Sequence, residues 1–259
     1  METTTSRDGT KIAYERAGTG HPIIFVTGAF NDHHTAVPLA GELAADHTVI
    51  TYDRRARGAS GDTAPYAIER ELEDLATLVE VAGGAAAVFG FSSGAVLALR
   101  AAVDQPEITH LFLYEAPFAL AEQGPTPAEL PGQLAALVEQ GRRGDAVELF
   151  QRVAVGLPEE MIAQARQSPF WPALEEIAPS LVYDATITSV LGTPTESMIA
   201  VRAPILVLNG VETWPEVRQR SKALAALLPA AEHREVAGGH NHQIPPAPTA
   251  ATMREFLAG

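Results

Sequence analysis

The chain has 259 residues, 46% of them hydrophobic and none of them cysteine, which suits one α/β domain with an insertion and excludes disulfides, thiolate metal ligands and a cysteine nucleophile. Its net charge of −14, from 32 acidic and 18 basic residues, favours solubility and argues against nucleic acid or an anionic membrane as partner. No run approaches the roughly 18 uncharged apolar residues of a membrane span, and the polar start METTTSRDGTKIAYERAG lacks the apolar core of a secretory signal, so a cytoplasmic protein is expected.

In chain order, the apolar run 23–27 (IIFVT) reads as a buried strand that stops at Gly28. A helix over about 34–45, a strand over 48–52 and a loop over 53–62 follow. Leu72, Leu75, Leu78 and Val79 lie at helical spacing within 68–81. Residues 86–91 form a third strand, 93–103 a helix packed almost all round, and 111–114 a fourth strand ending at Glu115-Ala116-Pro117. From 118 to 198 the pattern is helical, with no buried strand. The α/β rhythm returns with a strand over 205–208, a helix over 216–228, a short strand at 235–236 and a closing helix over 249–257. The expected architecture is a mostly parallel, doubly wound α/β core (1–117 and 199–259) carrying an inserted helical cap (118–198). Such a cap lies over the sheet's carboxyl edge, where open α/β sheets bind ligands.

The chemistry is carried by Gly90-Phe91-Ser92-Ser93-Gly94, a G-x-S-x-G set between a strand and a helix. In that context the turn strains the serine backbone and lifts its hydroxyl clear, and the glycines let strand and helix approach closely. The N–H of Ser93 then faces a reacting carbonyl, and a second oxyanion donor is expected from the loop Thr27-Gly28-Ala29-Phe30, with the Ala29 N–H the best placed.

Taken together, the T-G-A-F loop, D-R-R-A-R-G-A-S, G-F-S-S-G, the helical insertion and the late G-G-H resemble the α/β-hydrolase superfamily over nearly the whole chain. Asp53–Ser60 is similar to that family's D-x-x-G-x-G-x-S loop, with Ala56 in the first glycine's place; the resemblance makes Asp53 structural. Thr27 stands where the family often has histidine.

A serine nucleophile needs a general base on a late loop, and Gly238-Gly239-His240-Asn241-His242 offers two. His240 fits the family's G-H pattern and is preferred, with His242 the alternate. The usual acid follows the 205–208 strand, but Asn209-Gly210-Val211-Glu212-Thr213-Trp214 holds no aspartate. Glu115 ends the preceding strand instead, where some α/β-hydrolases place their acid. The zearalenone-type lactonases among them resemble this chain in an S-S-G-A elbow and a Glu-x-Pro, here Glu115-Ala116-Pro117. Glu115 is preferred and Glu212 is the alternate.

His33 and His34 are candidates for the pocket mouth, but no ligand set emerges and no metal or cofactor is expected. Phe30, Phe118, Trp171 and Trp214 are candidate pocket walls, as is Phe170, and Arg54, Arg55 and Arg57 are expected to be solvated or paired with acids. The leading expectation is a carboxylic ester or lactone hydrolase working through an acyl-enzyme, on a neutral, partly apolar small molecule. A serine in the nucleophile's place argues against dehalogenase and epoxide hydrolase chemistry. The competing readings are a C–C or amide hydrolase with the same triad, and a ligand-binding protein on a hydrolase scaffold with a vestigial triad. Oligomeric state is not legible.

Overall fold

Residue alternation along the apolar runs decides the layering. The computed structural model describes residues 1–119 and 124–259, beginning with the strands β1 (Glu2–Thr5), β2 (Lys11–Ala17) and β3 (His21–Val26) and the helix α1 (Val37–Leu43). There follow β4 (His47–Tyr52), α2 (Ile68–Val81), β5 (Ala86–Phe91), α3 (Ser93–Asp104) and β6 (Ile108–Tyr114). The helices α4 (Leu130–Glu139), α5 (Arg143–Phe150), α6 (Glu159–Arg166), α7 (Trp171–Val190) and α8 (Glu196–Ile199) separate β6 from β7 (Ile205–Gly210). The chain closes with α9 (Pro215–Leu227), β8 (Ala231–Val236) and α10 (Pro246–Leu257).

The eight strands form one sheet in the order β1-β2-β4-β3-β5-β6-β7-β8. Its six strands from β4 to β8 run parallel, and β1 and β2 add an antiparallel edge. The sheet is thus mostly parallel, as expected. The edge hairpin is new: Ile12–Tyr14 are buried within an otherwise exposed β2, and β1 is the polar run ETTT, too weak a period-2 signal to read.

Ile24 and Val26 of β3 and Ala86 and Val88 of β5 face one core with α2, α3 and α8. Ile23, Phe25, Ala87, Phe89 and Phe91 face the other with α1 and α10. Both faces of the sheet are therefore covered, which is why its strands read as continuous apolar runs. Each Leu, Ile or Phe so buried contributes about 1.5–3 kcal/mol.

α2 spans the expected 68–81. Glu69 and Glu71 sit in its first turn, where the helix dipole favours negative charge, and Leu72, Leu75, Leu78 and Val79 form its buried stripe. Leu130, Leu134, Val147, Phe150, Trp171 and Leu181 build a separate small core for α4, α5 and the first part of α7. Further on, Ile187, Leu191 and Met198 pack into the main core. The inserted helices are therefore rooted in the α/β body at their C-terminal end. Among the described residues no helix is long and apolar enough to cross a membrane.

Candidate active site

Ser92 sits between β5 and α3 with φ 55° and ψ −126°, a conformation that costs a non-glycine residue energy and that the surroundings must impose. They do so by close packing. A Cβ on Gly90 would lie 2.4 Å from Ala95 Cα, and one on Gly94 2.2 Å from the Val26 carbonyl oxygen. The Ser92 N–H donates to the Tyr114 carbonyl of β6 at 3.0 Å, fixing the turn to the sheet.

Facing it, the loop after β3 approaches so closely that a Cβ on Gly28 would stand 2.7 Å from Ser92 Cβ. Its carbonyls are held from behind. Arg57 Nη1 donates to Gly28 O (2.6 Å) and Asn31 O (3.0 Å), and Arg54 Nη1 donates to Thr27 O (3.2 Å). With the peptide planes fixed this way, the N–H groups of Ala29 and Ser93 make no hydrogen bond among the described residues, and both residues line the cavity that contains Ser92.

The two arginines, expected to be solvated or paired, are fully buried and paired. Arg54 forks onto Glu71 at 2.7 and 2.6 Å and reaches Asp184 Oδ1 at 2.8 Å, and Arg57 Nη2 donates to Asp184 Oδ2. Ser93 Oγ donates to the same Asp184 Oδ1 at 2.7 Å. Burial alone would raise the Asp184 carboxyl; Arg57 and Arg54 overcome it and hold the group below the usual carboxylate range. Asp184, on α7, therefore ties an inserted helix to the serine turn through Ser93 and to the loop after β3 through Arg54 and Arg57. Sequence reading missed it, although a lone acid in the apolar stretch Ser180–Thr188 was a usable signal.

Glu115, buried and with φ 48°, turns its carboxylate across the end of β7. Oε1 accepts from the Gly210 N–H at 3.0 Å; Oε2 accepts from Thr213 Oγ1 at 3.1 Å and meets His242 Nδ1 at 2.5 Å. The turn that lacks an aspartate thus supplies donors to a carboxylate arriving from the neighbouring strand.

The histidine is a correction. His242, not His240, meets Glu115. Gly238, Gly239, Asn241 and His242 all have positive φ (87°, 83°, 49° and 66°), and these steps curl the loop so that position 242 points back to the cavity. The His242 ring lies 4.7 Å from the Phe91 ring and stacks on Trp214 at 6.1 Å, centroid to centroid. The His240 side chain is 73% exposed and pairs with Glu212 at the surface, which takes both alternates, His240 and Glu212, away from the buried carboxylate. The Ser92 hydroxyl makes no hydrogen bond among the described residues; contacts of this kind commonly tighten only as substrate binds.

Ser92, Glu115 and His242 open onto one cavity of about 820 Å³, lined also by Phe30, Phe150, Gln151, Met161, Trp214 and Arg220. Phe30 and Trp214 were expected there. Phe118 is instead fully buried in the main core, Trp171 in the core of the inserted helices, and Phe170 is exposed. A large aromatic is equally at home in packing, and sequence does not separate the two uses. His33 does not line the cavity: its N–H and Nδ1 both engage Asp53 Oδ1, at 2.9 and 2.7 Å. Asp32, His33 and His34 bring ligand atoms within 4.8 Å of one another, and His33 Nδ1 also meets Asp53 Oδ1 at 2.7 Å. Asp53 also accepts from the Ala59 N–H at 2.8 Å and so shapes its own loop.

A serine hydroxyl on the same cavity as an imidazole oriented by a buried carboxylate, with two unengaged N–H groups lining that cavity, has the groups needed to attack a carbonyl and stabilise the resulting oxyanion. A family model for the alpha/beta hydrolase family matches residues 23–252. The chain belongs to the alpha/beta hydrolase family. This alpha/beta hydrolase is 42% identical to one from Sphaerobacter thermophilus DSM 20745, whose crystal structure it matches with a TM-score of 0.91 over 99% of this chain and 100% of that one. A thermophilic esterase from Thermogutta terrifontis shares the fold at 23% identity, with a TM-score of 0.73 over 99% and 97% of the two chains. Among curated relatives, an uncharacterized hydrolase of Bacillus subtilis (strain 168), YraK, is 29% identical over 149 residues, 56% of this chain. The match spans 55% of that relative, about half its length.

Proposed function

We propose that this hydrolase cleaves carboxylic esters or lactones of small, partly apolar molecules through an acyl-enzyme on Ser92. The observation that carries this reading is the His242–Glu115 pair at 2.5 Å on the wall of the cavity that holds Ser92. Ser92 Oγ attacks the carbonyl carbon while His242 Nε2 takes its proton, and Glu115 holds Nδ1–H and stabilises the imidazolium. The carbonyl oxygen becomes an oxyanion received by the Ala29 and Ser93 N–H groups. Collapse of the tetrahedral intermediate expels the alcohol, which takes the proton from His242. Water, deprotonated by His242, then attacks the acyl-enzyme, and the acid leaves as Ser92 regains its proton. A lactone follows the same steps, its alcohol and acid remaining one molecule. The apolar lining from Phe30, Phe150 and Met161 and the esterase among the fold neighbours support an ester-type substrate.

The test is hydrolysis of a short p-nitrophenyl ester and a lactone panel by wild type and by Ser92→Ala, Glu115→Gln and Glu212→Gln. Loss of turnover in Ser92→Ala, and a fall of about three to four orders of magnitude in Glu115→Gln but not Glu212→Gln, is expected. A wild-type protein that hydrolyses none of the panel, or a Ser92→Ala variant as fast as wild type, defeats the proposal.

A further inference from the structure

Among the described residues, Glu115, Glu216 and Arg220 are the carboxylate and guanidinium side chains that line the cavity. Acidic residues outnumber basic ones 32 to 18 in this chain, and the buried arginines take full advantage: Arg54, Arg55 and Arg57 each pair with at least one carboxylate. Of the arginines without a carboxylate partner among the described residues, Arg7, Arg16, Arg143 and Arg202 are exposed. Arg220 is the exception. It is half-buried and lines the cavity that contains Ser92. Its one hydrogen bond among the described residues is a long one, 3.4 Å, from Nε to the Glu216 carbonyl of its own helix.

A guanidinium withdrawn from water without a paired anion is costly, and proteins rarely leave one so. Burial pushes Arg220 below the usual arginine value, and the charges of Glu216 and Glu115 offset this only in part. Guanidinium presents a planar fork of donors matched to a carboxylate, so the missing partner has a definite chemistry. Its place on the wall of the reaction cavity puts that partner on the substrate.

Building on the ester or lactone reading, we propose that Arg220 is a specificity residue that binds a carboxylate carried by the substrate, so that the preferred substrates are hemiesters of dicarboxylic acids or carboxylated lactones. The large negative charge of the whole molecule keeps such anions away from most of the surface, and Arg220, half-buried and without a carboxylate partner among the described residues, marks where they are accepted. This replaces the neutral substrate class expected from the sequence with a singly charged, anionic one.

The test compares monoethyl esters of the C4 to C7 linear dicarboxylic acids with ethyl esters of neutral monocarboxylic acids of matched length, followed by pH-stat. In wild type at least one hemiester should exceed its neutral counterpart tenfold or more in kcat/KM. Arg220→Gln should bring that ratio down at least tenfold, mainly through KM, and Arg220→Lys should recover part of it. Arg202→Gln, an exposed arginine elsewhere, should leave the ratio at its wild-type value. A wild-type ratio of one or less, or a ratio that Arg220→Gln does not change, overturns the proposal. Calorimetric titration with glutaric acid monoamide, which carries one carboxylate, and with the neutral diamide separates this from failure of the hydrolase reading. Tighter binding of the monoamide that Arg220→Gln abolishes supports the subsite whether or not any ester turns over, and equal binding of both ligands by wild type overturns it.

Discussion

At the residue scale, positive backbone torsions place the three side chains of the proposed triad. Ser92, Glu115 and His242 have φ of 55°, 48° and 66°, in a region that costs a non-glycine residue on the order of 1–3 kcal/mol. Three such residues converging on one cavity indicate that the fold invests stability in their positions. The two histidines can be separated directly. His242→Ala should lower kcat by three orders of magnitude or more, and His240→Ala should leave it within about twofold, because an exposed ion pair such as His240–Glu212 is worth about 1 kcal/mol or less. Ester turnover by the two variants decides it, and the reverse ranking would return the base to His240.

Ser92 and its elbow were legible in sequence because glycines at fixed spacing are required by contacts of 2.2–2.4 Å that no Cβ tolerates. Glu115 was legible because the expected aspartate was missing and a glutamate ended the adjacent strand. The order of His240 and His242 was not, since it depends on left-handed torsions at Asn241 and His242 that leave no mark in composition. Arg220 and Gln151 were equally hidden, being polar residues on segments whose cavity-facing side is decided by tertiary packing.

At the element scale, α7 matters beyond covering the cavity. Its Asp184 accepts from Arg54, Arg57 and Ser93 in a fully buried cluster, which joins an inserted helix to the oxyanion loop and the serine turn. Removing one partner of a buried ion cluster leaves uncompensated charge and costs about 3–5 kcal/mol. Asp184→Asn should lose stability of that order in urea unfolding at pH 7, together with ester turnover, because the Gly28 carbonyl and Ser93 lose a common anchor. The pH dependence follows from the lowered carboxyl. Its contribution is complete above the ordinary aspartate value of 3.8 and disappears as pH falls through the lower value of the folded protein. Wild type should therefore lose stability over that acid interval more steeply than Asp184→Asn. Equal slopes would mean that the cluster holds Asp184 no more strongly than water does. Helices and central strands were readable from apolar period and run length, as α2 shows, whereas the β1–β2 edge was not, because a half-exposed hairpin carries little apolar pattern.

At the scale of the whole molecule, a net charge of −14 sets a long-range field that repels anions, and Arg220 supplies a short-range attraction. The two respond differently to salt: surface fields are screened over about 8 Å at physiological ionic strength, while a half-buried contact is screened much less. The kcat/KM of a hemiester should therefore rise severalfold from low salt to about 0.15 M, and that of a neutral ethyl ester should stay flat. Stopped-assay rates across a sodium chloride series check this, and a hemiester rate that falls with salt would indicate net electrostatic attraction by the protein as a whole.

Activation of Ser92 by His242 and Glu115 is the claim on which the rest depends, and it can be measured without knowing the substrate. The measurement is the rate of labelling by a fluorophosphonate probe, with the adduct located by peptide mass spectrometry, in wild type, Glu115→Gln and His242→Ala. Rapid labelling confined to Ser92, slowed by about a hundredfold or more in both variants, is the expected result. A wild-type protein that is not labelled at Ser92, or variants labelled as fast as wild type, would contradict it and leave the cavity as a binding site without an activated nucleophile.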